Sequence, residues 1–260
     1  MTTWRCQSGL WEPCSSIPIE DRGFRYGMSV FETVAIHRGQ AIFLKAHLGR
    51  LKRALHAVGW DGDAVSGIPP VHERDAHATG VIRLYVTAGA GRPGDLFRGS
   101  VYALFEPCEV GAEFSAVRVA SSPAPYVPRP GGWKTGNYWQ NVEALAAARA
   151  MGVDDAILFA PSGALVCASM ANVFLEIDGV WKTPALEAGA RDGVVRAWVK
   201  GQMPVEETLL GPGDRARCMA CFLTNSRVGV RAVSEMDGRP LHTDVAALQR
   251  RYRELFLPPL

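Results

Sequence analysis

The chain holds only five lysines, Lys45, Lys52, Lys134, Lys182 and Lys200. Lys45 and Lys52 fall on the polar side of an amphipathic helix. Lys182 precedes a Thr-Pro turn. Lys200 sits near a helix end, where a cation complements the helix dipole. Lys134 keeps different company: Trp133 precedes it, and Asn137, Tyr138 and Trp139 follow. A lysine held among aromatic rings gives up its proton more readily than one in water and can serve as a nucleophile. The plainer alternative is a surface lysine laying its stem along apolar neighbours.

Three segments have the means to bind an anion. Ala190-Arg-Asp-Gly-Val-Val-Arg196 places a glycine at a helix start, where backbone N–H groups lack partners within the helix. Thr224-Asn-Ser226 ends a strand with three polar side chains. Arg50 lies mid-helix beside an apolar stripe, a position where arginines are usually solvated. There is no Walker-type or GxGxxG loop. Cys6, Cys14, Cys108, Cys167, Cys218 and Cys221 are scattered. Cys218-Met-Ala-Cys221 has the spacing of a redox pair or half a zinc site. No second such pair exists, and this one runs into the apolar Cys221-Phe-Leu-Thr224, so it reads as two small core residues. No metal site is expected.

The elements that must position these residues follow from periodicity. Ser29 to Ile36 reads as a strand, with a turn at His37-Arg-Gly-Gln40 and a short strand from Ala41 to Leu44. Leu44, Leu48, Leu51, Leu55 and Val58 recur at helical spacing. Val81 to Thr87, Ser100 to Phe105 and Val117 to Ser121 read as strands. Ser122 to Gly132 carries four prolines and two glycines in eleven residues, which neither a helix nor a central strand tolerates. It is the expected linker between an N-terminal domain, 1–121, and a larger C-terminal domain, 133–260. The second part predicts a helix from about Tyr138 to Met151 closed by Gly152. Strands follow at Ala156 to Phe159, Leu165 to Ser169 and Val173 to Ile177. A helix over Gly193 to Lys200, a strand over Cys221 to Thr224 and helical spacing from Asp244 to Phe256 complete it. The pattern implies two mixed α/β lobes with a cleft between them, a favoured place for small-molecule sites.

With 48% hydrophobic and 21% charged residues the chain is ordinary globular material, and its formal net charge of +2 argues against a nucleic-acid or membrane-surface partner. No apolar run approaches the roughly 20 residues of a membrane helix. Met1 to Cys14 shows no signal pattern. The expectation is a soluble, cytoplasmic protein with reduced cysteines.

Taken in order, several segments resemble the class IV aminotransferases, which include branched-chain and D-amino-acid aminotransferases and aminodeoxychorismate lyases. They are Asp21-Arg-Gly-Phe-Arg-Tyr-Gly27, Val30-Phe-Glu-Thr33, His47-Leu-Gly-Arg-Leu51, Val81-Ile-Arg-Leu84, Thr87-Ala-Gly89 and Gly132-Trp-Lys-Thr-Gly-Asn-Tyr138. Ala171-Asn-Val-Phe174, Thr183-Pro184, Gly193-Val-Val-Arg196 and Phe222-Leu-Thr-Asn-Ser226 follow. Each is weak alone; their joint order from about Pro18 to Val233 is specific. The resemblance implies the mixed α/β, two-domain fold type IV of pyridoxal-5'-phosphate (PLP) enzymes, like D-amino-acid aminotransferase, and a homodimer.

Lys134 then looks like the lysine that holds PLP as a Schiff base, and Arg50 like the arginine that pairs with its phosphate. Val194 and Val195 would offer backbone N–H groups to that phosphate and Ser226 a hydroxyl, with Asn225 beside it. Phe31 and Arg92 are candidates for contacting the substrate, Arg92 through a carboxylate. Two positions depart from the family. Gly27-Met28-Ser29 replaces the usual Gly-Asp-Gly. Cys167, five residues before Asn172, stands where a glutamate normally keeps the pyridine nitrogen protonated. A thiol cannot do that strongly, so elimination gains on transamination. The resemblance therefore favours aminodeoxychorismate lyase, which releases pyruvate and makes 4-aminobenzoate for folate synthesis. A branched-chain or D-amino-acid aminotransferase is the alternative, and a PLP-binding protein with little turnover is a third.

Overall fold

A computed structural model describes residues 1–71, 75–111, 115–129 and 132–256. The chain folds into two units: Met1–Val110 with Lys134–Asn137, and Gly111–Trp133 with Tyr138–Leu260. Both are mixed α/β, as the patterning implies.

The first unit is built on a six-stranded sheet. Its strands are β1 (Thr2–Gln7), β2 (Leu10–Pro13), β3 (Ser29–His37), β4 (Gln40–Ala41), β5 (Gly80–Thr87) and β6 (Ser100–Pro107), in the order β2-β1-β6-β5-β3-β4. All its pairings are antiparallel. Helix α1 (Arg22–Tyr26) precedes β3. Helix α2 (Leu44–Ala57) packs on β3 and buries His47, Leu51, Ala54 and Leu55, one stripe at helical spacing. The expected strand from Ala41 to Leu44 shrinks to the two-residue β4. Phe43 takes a left-handed conformation at the N-cap, and Leu44 already belongs to the helix. The hairpin of β1 and β2 escapes sequence reading because only Trp4 of it is buried.

The second unit holds a nine-stranded mixed sheet. Its strands are β7 (Val117–Ser121), β8 (Asp155–Phe159), β9 (Leu165–Ala168), β10 (Asn172–Ile177), β11 (Val180–Pro184), β12 (Glu206–Thr208), β13 (Ala220–Asn225), β14 (Gly229–Met236) and β15 (Arg239–Pro240). The order is β12-β11-β10-β13-β14-β7-β8-β9, with β15 on β14. Helices α3 (Trp139–Ala150), α4 (Val194–Gln202), α5 (Pro212–Arg217) and α6 (Ala246–Glu254) complete it. Successive residues of β10 and β13 enter different cores. Val173, Leu175, Cys221 and Leu223 join one with Val117 and Val233; Phe174 and Phe222 stack in the other with Val199 and Leu248. A sheet covered on both faces reads as continuous apolar runs.

The domain boundary differs from the expected one. Val117–Ser121 belongs to the second unit, paired in parallel with both β14 and β8. Lys134–Asn137 belongs to the first, where Thr135 bridges Val30. Proline-rich composition marks where regular structure stops; it cannot reveal which sheet a flanking strand joins. Among the described residues no helix is long and apolar enough to cross a membrane.

Candidate active site

In the first unit the start of β3 carries the candidate nucleophile. Phe31 N–H donates to the Lys134 carbonyl at 2.8 Å and Gly136 N–H to the Ser29 carbonyl at 2.9 Å. These bonds place the Lys134 ammonium nitrogen 3.8 Å from the centroid of the Phe31 ring, which is itself stacked on Tyr85. Phe31, expected near the substrate, is thus the surface on which Lys134 rests.

The next residue, Glu32, is buried and collects two donors from α2. Arg50 grips it with Nε at 2.7 Å and Nη2 at 2.6 Å, and His47 Nδ1 lies 2.7 Å away. His47 and Arg50 stand three apart and so share a helix face. Burial by itself would raise the Glu32 carboxyl; the Arg50 charge overrides it, with help from His47, and holds the pKa at about 2. His47 moves down, first because it is buried, against the pull of Glu32; Arg50 and Lys134 add to the fall. A neutral His47 therefore donates to an ionised Glu32. The expected Arg50 is mid-helix as predicted but ion-paired, with its side chain 13% exposed, rather than solvated.

Arg22 is a buried arginine of the same unit. Its guanidinium donates to the carbonyls of Ala88, Gly89, Asp95 and Leu96 at 2.5, 3.2, 2.7 and 2.8 Å. Asp21 caps Gly23 and accepts from the Thr87 hydroxyl. Together they fix the 88–96 loop. Arg92 sits on that loop with its side chain exposed and its N–H on Asp95.

In the second unit Cys167 lies on β9, 7% exposed, in a cluster with Ala144, Ala148, Leu158 and Val166 and against Tyr126. Burial pushes its thiol up to about 12, opposed by Arg191, so it is neutral. Arg191 Nη1 donates to the Tyr138 hydroxyl at 2.6 Å, and its guanidinium lies 5.3 Å from that ring's centroid. Cys218 and Cys221 are free and fully buried, the core residues they were expected to be. Among the described residues no cluster could hold a metal ion.

Two of the three expected anion-binding segments, 190–196 and 224–226, also fall in this unit. Helix α4 starts at Gly193, and no side chain caps it; its first N–H groups, those of Val194 and Val195 included, point out of the helix end. Asn172 on β10 donates through Nδ2 to the Arg191 carbonyl at 2.8 Å. A Cβ on Gly193 would meet Asn172 Oδ1 at 1.9 Å, so only glycine lets this asparagine fasten the helix entry. Ser226 opens the turn after β13. Asn225 spends its side chain on that turn, accepting from Arg227 and Val228 N–H at 3.0 Å, so it shapes the turn that presents Ser226. Thr224 Oγ1 is buried with no hydrogen-bond partner. Arg196 is structural: it donates to the Pro184 carbonyl and to Glu207.

Sequence reading missed the roles of Glu32, His47, Arg22 and Arg191. Glu32 and His47 stood inside quoted motifs. The available signal was a lone acid in an apolar strand, which needs a buried partner.

A family model for amino-transferase class IV matches residues 29–236. A curated relative from Methanocaldococcus jannaschii, provisionally named a branched-chain-amino-acid aminotransferase, is 28% identical over 94% of this chain and 91% of its own. The structure resembles branched-chain aminotransferase from Thermoproteus uzoniensis, solved with norvaline (TM-score 0.83, 23% identity, 98% of this chain and 93% of that one). It also resembles 4-amino-4-deoxychorismate lyase from Pseudomonas aeruginosa (TM-score 0.76, 22% identity, 97% of each chain). These likenesses establish the fold type IV architecture.

Proposed function

Since the chain belongs to the class IV amino-transferase family, whose members are PLP-dependent enzymes, we propose that it is a lyase acting on aminodeoxychorismate, releasing pyruvate and leaving 4-aminobenzoate. The donor set fits the cofactor: a primary amine on Lys134, an uncapped helix start at Gly193, and a hydroxyl on Ser226. In this reading Lys134 binds the cofactor covalently and moves the substrate proton. Arg50 in the first unit, and the Val194 and Val195 N–H groups with Ser226 in the second, each have the chemistry to bind a phosphate. Glu32 and His47 keep Arg50 in place. Phe31 flanks the amine, and Arg92 on its fixed loop meets a substrate carboxylate. Bound PLP supplies an electron sink, whose depth depends on protonation of its ring nitrogen.

One observation carries the choice of reaction: Cys167 is buried and neutral. Without a carboxylate at that position the sink is shallow. Transamination must hold electrons on the cofactor until a proton is returned to it, whereas elimination drains them into the departing group. A second reading, transamination of branched-chain amino acids, is supported by the 28% identical relative. The homodimer belongs to the reading as well, and the exposed Ile19 and Phe24 give such a contact apolar surface.

The deciding experiment incubates the PLP-loaded protein with aminodeoxychorismate, assaying pyruvate, beside branched-chain amino acids with 2-oxoglutarate, assaying glutamate. Pyruvate release is the expected result. Glutamate formation without it would replace the first reading by the second.

A further inference from the structure

The segment that carries Lys134 touches β3 through a single ladder step. Thr135 bridges Val30, and two hydrogen bonds flank the bridge: Phe31 N–H to the Lys134 carbonyl at 2.8 Å and Gly136 N–H to the Ser29 carbonyl at 2.9 Å. All six residues belong to the first unit. In an antiparallel pair this pattern sets Lys134 opposite Phe31 and Gly136 opposite Ser29, all four on one face. Val30 and Thr135 take the other face, the one that Glu32 also faces. The Lys134 ammonium accordingly lies 3.8 Å from the Phe31 ring centroid.

One ladder step specifies a register weakly. A slip by one residue turns every side chain to the opposite face, and Lys134 would then project toward the side of β3 that holds Glu32 and its partners on α2. The side chains at 29 and 136 oppose such a slip. A Cβ on Gly136 would overlap the Ser29 Oγ, with Ser29 Cβ 3.6 Å away. The serine hydroxyl leans into the space that any other residue at 136 would fill. Gly136 is not among the residues with a left-handed φ, so its backbone does not demand glycine; Ser29 does. Ser29 is itself 8% exposed and paired on its other side with Thr87 of β5, so it has little freedom to move away.

We propose that Ser29 and Gly136 are a matched pair that keys the register of the Lys134 segment on β3, and that both are positioning residues for Lys134. Their place in a reaction rests on the reading above, in which Lys134 holds the cofactor. They act through the backbone. The pair fixes the face that Lys134 presents, and the Phe31 ring then receives the ammonium. Filling position 136 alone drives Ser29 and the segment apart. Emptying position 29 alone leaves nothing to oppose a slip. Ser29→Gly combined with Gly136→Ala refills the same gap from the opposite strand. The coupling between the two changes distinguishes a matched pair from two separately useful residues.

The test reads Lys134 first without cofactor. Protein labelled with carbon-13 at lysine Cε has five lysines to resolve, and Lys134→Arg identifies the signal of Lys134. The Phe31 ring current should shift its attached protons upfield in wild type. The shift should be lost in Gly136→Ala, reduced in Ser29→Gly and recovered in the double variant. Borohydride fixation of PLP with peptide mapping is the second arm. At subsaturating PLP the labelling of Lys134 should fall by up to about fivefold in each single variant, the range of one cross-strand pair, and return in the double. An upfield shift retained in Gly136→Ala overturns the proposal. So does a folded double variant that is no better than Gly136→Ala. If Gly136→Ala does not fold, recovery of folding in the double supports the pair and failure to recover overturns it. If wild type fixes PLP on another lysine, the cofactor reading fails, and with it the pair's role in a reaction, whatever the NMR arm shows.

Discussion

Two arginine corners of this molecule treat charge in opposite ways. In the first unit Arg50 is gripped by Glu32 through two hydrogen bonds, and His47 completes the cluster. In the second unit Arg191 has a phenol for one nitrogen and nothing for another. The first corner is closed by the chain's own residues and contributes to folding without a ligand. The second is held in place by Asn172 and Gly132 but left electrically incomplete. Charge that the fold balances contributes to stability whether or not it also binds; a donor that the fold positions and leaves unsatisfied points to a binding partner.

The most severe change is Lys134→Ala. It should abolish turnover and remove the visible absorption band of cofactor attached through the lysine, while thermal stability of the unloaded protein stays close to wild type. Retained turnover would remove Lys134 from the chemistry. A large fall in stability would mean that the first corner needs Lys134 after all.

Glu32→Gln probes the closed corner itself. Removing the charge leaves Arg50 without its counter-ion, and breaking such a buried pair costs about 3–5 kcal/mol. The pH dependence has a defined sign. The Glu32 carboxyl is held at about 2 against an ordinary 4.5, so its contribution is complete above pH 4.5 and disappears as pH falls towards 2. That shift corresponds to roughly 3 kcal/mol. His47, pushed down by burial, acts in the same direction: a folded state that disfavours its cation loses stability as pH drops below 6.5. Urea unfolding across the acid range should therefore show a steep loss in wild type and a shallower one in Glu32→Gln. Parallel curves would show that Glu32 does not carry this dependence.

Asn172→Ala should have the smallest effect, about 1 kcal/mol of stability for a lost neutral hydrogen bond. Its consequence for the open corner should be larger than that figure suggests. With the Arg191 carbonyl released, PLP affinity should weaken, by about tenfold if a further 1.4 kcal/mol of preorganisation is lost. Equal affinity in a folded variant would show that α4 and Arg191 hold their positions without Asn172.

Much of the local architecture was readable from sequence. The helices at 44–57, 139–150 and 194–202 follow from apolar spacing and from glycine at their ends, and most central strands from their apolar runs. Lys134 stood out by its aromatic neighbours, and motif order identified the family. The β1–β2 hairpin did not show because it buries so little. The domain boundary was misplaced because strand pairing is non-local: Val117–Ser121 finds its partners at residues 155–157 and 233–236.

The sequence by itself determined which residue types are present and which faces of each element must be buried, since periodicity and composition act through neighbours a few positions apart. It thereby determined the family. Only the tertiary structure decided which charges meet. Glu32 and Arg50 are eighteen residues apart, and Asn172 and Arg191 nineteen. Pairing at that range depends on how strands align and how helices settle on them. The energy of a charge depends on burial and on its partners rather than on its position in the chain. For that reason Arg50 became a closed ion pair, Cys167 a neutral thiol, and Arg191 a donor whose Nε is left without an acceptor.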